Sequence, residues 1–165
     1  MRECNLGSYS ESMWIAGQHQ WELSSRSLLM AIVNVTPDSF SDGGRFLSQE
    51  QTITEGLSMV DEGADILDVG GESTRPGAKP VSVEEELSRV VPVIGALARQ
   101  SPVAISVDTS KPEVAARAVE AGASIVNDVT GLTHPKMLEL CAGNDCGVVV
   151  MHMKGTPEAM QSQAR

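Results

Sequence analysis

The apolar positions of the chain recur in two spacings that alternate along the sequence. Continuous apolar runs rich in β-branched residues predict buried strands, at 28–35, 65–69, 103–107, 125–129 and 147–153. Between them, apolar residues three or four positions apart predict helices, at 51–62, 82–100, 112–121 and 135–142. Such strands, joined by helices, form a parallel sheet that helices cover. The pattern therefore predicts an α/β fold, either a βα-barrel or a doubly wound sheet.

The residues before the first of these strands follow a different pattern. Residues 13–23 predict a short β-hairpin that turns near Gly17, placed to plug the bottom of a barrel. Residues 1–12 are polar and unpatterned, so we expect a disordered extension followed by one domain over 13–165. Translation could start at Met1 or at Met13, and the sequence leaves that choice open.

Composition narrows the class of protein. Aromatic residues make up 3% of the chain, so the core must consist of aliphatic side chains and methionine. The net charge of −10 argues against nucleic acid and anionic membranes as partners, but it allows a phosphorylated substrate in a locally cationic cleft. The three cysteines form no disulfide framework. With no apolar run of membrane-spanning length and no signal-peptide pattern, we expect a cytoplasmic protein.

Polar residues close the predicted strands, namely Asn34, Asp68, Asp108, Asn127 and His152. The carboxyl ends of parallel strands meet at one face of the fold, where active sites lie. Asp108 and Asn127 would together accept hydrogen bonds from the N–H edge of a flat heterocycle, although Asp108 could instead cap the next helix. Asp68 is expected to be structural and paired, and His152 to be a satisfied, semi-buried histidine. Near a pyrophosphate, Asn34 would suit Mg²⁺.

Two long loops follow the first two strands. The loop at 36–46 combines carboxylates, including Asp42, with an exposed aromatic residue, Phe40. The loop at 70–80 sets Arg75 between Gly-Gly and Pro-Gly, and an arginine fork suits a carboxylate or a phosphate. We interpret the pair as two mobile lids over one binding site.

Five motifs carry a resemblance to a known family. The motifs are Asn-Val-Thr-Pro-Asp-Ser-Phe-Ser-Asp-Gly-Gly (34–44), Asp-Val-Gly-Gly-Glu-Ser-Thr-Arg-Pro-Gly (68–77), Ser-Val-Asp-Thr (106–109), Val-Asn-Asp-Val (126–129) and Met-His-Met (151–153). From about Met13 onwards the chain resembles the dihydropteroate synthase family. The resemblance implies a (β/α)₈ TIM barrel and a transferase of folate biosynthesis. That enzyme joins 6-hydroxymethyl-7,8-dihydropterin diphosphate to p-aminobenzoate, releases pyrophosphate and is the target of sulfonamides.

The resemblance also implies roles for individual residues. Asn34 would ligate Mg²⁺ on the diphosphate, and Asp42 would act catalytically by favouring a cationic methylene or ordering its loop. The pterin would be held by Asp108, Asn127 and Met151. The aminobenzoate site would be built on the two loops by Phe40, Asp42, Thr74 and Arg75.

The number of predicted strands sets one further expectation. A complete barrel needs eight strands in ~250 residues, and this sequence supplies five. We therefore expect a truncated synthase that is inactive alone, and that either folds poorly or persists by aggregation, by self-association through its open sheet edges or by docking to a complementing fragment. Two alternatives stay open, a pterin-binding methyltransferase-like domain and a non-catalytic partial barrel that binds a partner.

Overall fold

The computed structural model describes residues 12–35, 44–73 and 80–151, with side chains from residue 49 onwards in the helix that begins at residue 44. The described strands and helices alternate after an initial hairpin. Their bounds are β1 Met13–Ala16, β2 His19–Glu22, β3 Met30–Asn34, α1 Gly44–Asp61, β4 Ile66–Gly70, α2 Val83–Gln100, β5 Ala104–Asp108, α3 Pro112–Ala121, β6 Ile125–Asp128, α4 Pro135–Gly143 and β7 Gly147–Val150.

Strands β3 to β7 form one parallel sheet in the order in which they occur along the chain. A doubly wound sheet reverses its strand order at a switch point, whereas a barrel does not, so the described strands follow the barrel order. All five predicted strands and all four predicted helices are confirmed. Strand ends differ from prediction by three residues at most, and α1 begins at Gly44, seven residues before the apolar spacing that predicted it.

The outer face of the sheet packs on the helices. Alternate strand residues, such as Leu67, Val69 and Val107, are fully buried in one core with α2 residues that include Ile94 and Leu97. Side chains alternate across a strand, so this packing directs the residues between them to the inner face of the sheet. The α-helical layer thus fixes which strand residues can form a site.

The predicted hairpin is confirmed and closes the amino-terminal end of the inner face. β1 and β2 pair antiparallel, and Gly17 supplies the positive φ of +57° at the turn. The rings of Trp14 and Trp21 lie 5.1 Å apart. Ala16 is buried beside inner-face residues of three strands, and the Gly17 N–H donates to the Asp145 carbonyl at 2.9 Å. The hairpin leaves the opposite, carboxyl end of the strands for function.

Some expectations from the sequence fall outside the structure as described. The extension at 1–12 lies outside the described residues except for Ser12, and so does His152. Among the residues that the structure describes, no helix has both the length and the apolar character needed to cross a membrane.

Candidate active site

The carboxyl ends of the strands bring the predicted site residues into one row. Asn34 is in register with Gly70, Gly70 with Asp108, Asp108 with Asn127, and Asn127 with Val149. Every member of this row lies on the inner face, because its neighbours in sequence pack on the helices. With strands about 4.8 Å apart, Asp108 and Asn127 are adjacent, and Asn34 lies two strands from Asp108. The sequence-based hypothesis required this convergence.

A second polar layer lies one row deeper, where Asp68 is in register with Ser106. The Asn127 Nδ2 atom donates to Asp68 Oδ2 at 2.9 Å, which confirms that Asp68 is paired. Since a carboxylate can only accept this bond, the Asn127 amide nitrogen faces Asp68 and its oxygen stays available as an acceptor. Asp68 Oδ1 and Ser106 Oγ are buried and have no hydrogen-bond partner among the described residues. Buried polar atoms without a partner are rare in folded proteins, so these two call for an explanation, such as a bound ligand or water.

Asp108 carries the most perturbed carboxyl group of the row. Burial raises its pKa to about 7, and four nearby carboxylates add to the rise, namely Asp68, Glu86, Asp128 and Glu72. A carboxyl group with this pKa can accept a hydrogen bond when ionised or donate one when protonated near neutral pH. Asp108 does not cap the following helix, because α3 begins at Pro112 with Lys111 at its N-cap position.

A charged clasp, formed by Glu72, Glu86 and Lys111, lies beside Asp108. The Lys111 ammonium binds Glu86 Oε2 at 2.5 Å and also binds Glu72 Oε2. Glu86 is 1% exposed although it stands on the apolar face of α2. Sequence reasoning missed the clasp. A usable signal was present, because Glu86 shares a helix face with Val90 and Leu97, and a buried glutamate there predicts a cationic partner since an unpaired charge would be costly.

The segment after β4 is held closely against α2. Arg89 Nη1 donates to the Gly71 carbonyl at 2.6 Å, and Arg89 also binds the Glu85 carboxylate. A Cβ atom on Gly71 would lie only 2.7 Å from Val90 Cγ1, so this position requires glycine for close approach rather than for its φ angle. The strand end that leads into the second predicted loop is therefore fixed.

The remaining predicted residues divide into two groups. Met151 follows β7, is 38% exposed, and its N–H lies 3.5 Å from the Asp128 carbonyl. By strand alternation it falls on the same face as Val149, near the Asn127 end of the row. The predicted loop residues lie outside the described part of the chain, namely Phe40, Asp42, Thr74 and Arg75.

Comparison with known proteins places this site in a family. The model of the family described as "Pterin binding enzyme" matches residues 30–165, which is most of the chain. The chain belongs to the pterin-binding enzyme family. The matched segment begins at β3 and contains every strand of the parallel sheet and every residue of the strand-end row.

Similar proteins refine this assignment within the pterin-binding family. A dihydropteroate synthase of Synechocystis is 46% identical over 158 residues, which are 95% of this chain and 55% of that protein. The structure of the Yersinia pestis dihydropteroate synthase with a sulfonamide drug has a TM-score of 0.82 and 46% identity, covering 93% of this chain and 55% of that one. The Xanthomonas albilineans dihydropteroate synthase with 4-aminobenzoic acid has a TM-score of 0.80 and 50% identity, covering 88% and 54%.

The chain therefore spans about half the length of these relatives. The high TM-scores confirm the predicted class, part of a TIM barrel with a hairpin in front of it. The resemblance seen in the sequence motifs, to the dihydropteroate synthases, is likewise confirmed.

Proposed function

We propose that this chain is a dihydropteroate synthase-type transferase, and that its strand-end row binds the pterin part of the substrate. In the proposed reaction, the C–O bond between the pterin methylene and the diphosphate breaks, and pyrophosphate leaves with the electron pair. The amine of p-aminobenzoate forms the new C–N bond and loses a proton. The observation that carries the proposal is the shared register of Asn34, Asp108 and Asn127 on one face of the sheet.

The pterin end of the proposed site rests on two adjacent acceptors. The Asn127 oxygen is free to accept because the amide nitrogen donates to Asp68, and Asp108 supplies carboxylate oxygens one strand away. A pterin presents amino and ring N–H groups along one edge, which matches two acceptors in one row. Met151 would pack against the flat ring, as methionine does at apolar binding surfaces.

The diphosphate end would be served by Asn34 and Mg²⁺. Asn34 is exposed at the carboxyl end of β3, and its amide is an oxygen donor of the kind that Mg²⁺ accepts. Mg²⁺ takes few protein oxygens and completes its shell with phosphate and water, so Asn34 fits the ion when a diphosphate is bound. When bound, the ion would neutralise charge on the departing pyrophosphate.

The aminobenzoate site is proposed for the two loops of the sequence motifs. Phe40, Thr74 and Arg75 would contact p-aminobenzoate, with Arg75 placed to pair with its carboxylate. Asp42 would act as the catalytic carboxylate that favours a cationic methylene. Exclusion of water would protect that cation from capture, so that the aromatic amine adds instead.

The test measures both pterin binding and turnover by the 165-residue chain. The chain is mixed with the pterin diphosphate, Mg²⁺ and p-aminobenzoate, while pyrophosphate release is followed and dihydropteroate is identified by mass spectrometry. Asp108→Ala and Asn127→Ala should each lower pterin affinity at least tenfold, because each removes an acceptor from the row. Pterin binding without product would agree with the expectation that this chain is inactive alone, and equally with a non-catalytic or methyltransferase-like pterin-binding domain. Failure of the unmodified chain to bind pterin would refute the proposal.

A further inference from the structure

The clasp of Glu72, Glu86 and Lys111 joins three segments of the chain that lie next to the strand-end row. Glu72 follows β4, Glu86 lies in the first turn of α2, and Lys111 stands between β5 and α3. Lys111 is held in place because its own N–H donates to Thr109 Oγ1 at 3.2 Å, and Thr109 is 4% exposed. The lysine therefore sits three residues after Asp108 on a fixed turn.

Glu72 uses its second oxygen to close the β4–α2 connection. Its Oε1 atom accepts from the Val81 N–H at 3.3 Å, while Oε2 binds Lys111. Residue 72 stands near the start of this connection and residue 81 near its end, so a single side chain bridges both ends. Without the lysine, Glu72 would lose the charged partner that orients it toward Val81.

The clasp also acts on Asp108 through charge. Four carboxylates raise the pKa of Asp108, and they come from β4, the segment after β4, α2 and β6: Asp68, Glu72, Glu86 and Asp128. Lys111 is bound to two of these four, Glu72 and Glu86. Although burial lowers the pKa of Lys111, its bonds to Glu72 and Glu86 raise it overall, so the lysine stays charged.

We propose that Lys111 is a positioning residue for the pterin site: it fastens Glu72 and Glu86 beside Asp108 and offsets their charge, so that Asp108 can meet its ligand as an acceptor. Arg89 does not take this part, since it binds Glu85 and the Gly71 carbonyl. The role for ligand binding rests on the proposed function, whereas the effect on the protonation of Asp108 does not.

The test follows the carboxyl carbon of Asp108 by ¹³C NMR against pH in the ligand-free chain. Lys111→Met should move the midpoint of this titration upwards by about one pH unit, because two carboxylates lose their counter-charge. Lys111→Arg should keep the midpoint of the unmodified chain, because arginine also carries a positive charge. Lys136→Met should also leave the midpoint unchanged, since Lys136 is an exposed lysine on α4. Glu72→Gln should move it downwards, because one repelling carboxylate is removed and the lysine is kept.

A second readout reports the closing of the connection. Amide exchange at Val81 should quicken at least tenfold in Lys111→Met and stay close to the unmodified value in Lys111→Arg, which keeps a charged donor to Glu72. If Lys111→Met does not fold, the downward shift in Glu72→Gln carries the test, and an unchanged or upward shift there overturns the proposal. An unchanged midpoint in a folded Lys111→Met also overturns it.

The last arm measures affinity for 6-hydroxymethylpterin by calorimetry at pH 7. Lys111→Met should bind about fivefold more weakly at pH 7, because a rise of about one unit in the pKa of Asp108 lowers its ionised fraction by about that factor. A shifted titration in a chain that binds no pterin would leave the role of Lys111 toward Asp108 intact and refute the proposed function. Unchanged affinity in Lys111→Met, despite a shifted titration, would refute the role of Lys111 in ligand binding.

Discussion

Replacing Asp108 with asparagine should stabilise the folded chain at neutral and alkaline pH while it weakens the proposed site. Burial and neighbouring carboxylates raise the pKa of Asp108 from 3.8 to about 7. Between these two values the folded chain binds this proton more tightly than the unfolded chain does. Stability from this group is therefore present at low pH and is lost as pH rises toward 7. Asparagine cannot ionise, so the variant should escape that loss.

The size of the effect follows from the shift. A rise from 3.8 to about 7 is roughly three pH units, and each unit corresponds to about 1.4 kcal/mol, which sets a ceiling of about 4 kcal/mol. Asp108 keeps partial contact with solvent, which screens part of the repulsion, so we expect a gain of about 2 to 4 kcal/mol at pH 8. The gain should shrink steadily below pH 7 and nearly vanish at pH 4.

The assay is urea unfolding of both proteins at intervals between pH 4 and pH 8. Asp61→Asn is the matched control, since it removes an exposed carboxylate at the end of α1. Other titrating groups are common to both proteins and cancel in the difference. If the curves for the Asp108→Asn and unmodified chains run parallel across this range, or if the variant is less stable at pH 8, the account of Asp108 is wrong.

Three further predictions concern the framework of the site. Asp65→Asn should lower the free energy of unfolding by about 1 kcal/mol at pH 7, because hydrogen bonds from Arg26 and from the Leu29 N–H hold the pKa of Asp65 below 3.8. This contribution should disappear as pH falls through that lowered pKa, so urea unfolding should show the difference at pH 7 and not at pH 2. Gly71→Ala should cost about 1 to 3 kcal/mol by the same assay through its clash with α2, whereas Gly143→Ala, with open space around it, should be nearly neutral. Sedimentation should show self-association that grows with concentration, and Ile32→Lys should reduce it, because this residue is 64% exposed on the edge strand β3.

The fold could be predicted from the sequence because local pattern and tertiary packing agree. Each strand carries a continuous apolar run, and each helix carries an apolar face, so spacing alone separated them. The exception is the start of α1. The helix begins at Gly44, the second residue of a glycine pair, and its first residues, Gly-Arg-Phe-Leu-Ser-Gln, show no apolar repeat over a full turn. Its first turns are therefore invisible to a criterion based on apolar periodicity.

The site could be predicted only as far as strand order places it. Asn34, Asp108 and Asn127 each end a strand, so a parallel sheet must bring them to one edge, and the register does so. The bond from Asn127 to Asp68 and the clasp around Lys111 depend on rotamers and on how far a side chain reaches, which spacing does not encode. The sequence therefore predicted where the polar row lies but not how its charges are balanced.

The two ends of the inner face of the sheet contribute differently to stability, because apolar residues occupy one end and polar residues the other. At the amino-terminal end, Ile66, Ala104 and Ile125 are buried beneath the hairpin, and burial of apolar surface there stabilises the fold at about 25 cal/mol per Å². Two rows further on, Asp108 is kept where its charge is disfavoured, and stability would improve without it. A residue that costs stability and still stands in register with two other polar strand ends is better explained by ligand binding than by folding. A pterin whose N–H groups stabilise the ionised carboxylate would return part of that cost on binding. The affinity for pterin should therefore rise as pH increases from 6 to 8, by up to about tenfold per pH unit below the pKa of Asp108. If calorimetric titration shows no such rise, ionisation of Asp108 does not contribute to pterin binding.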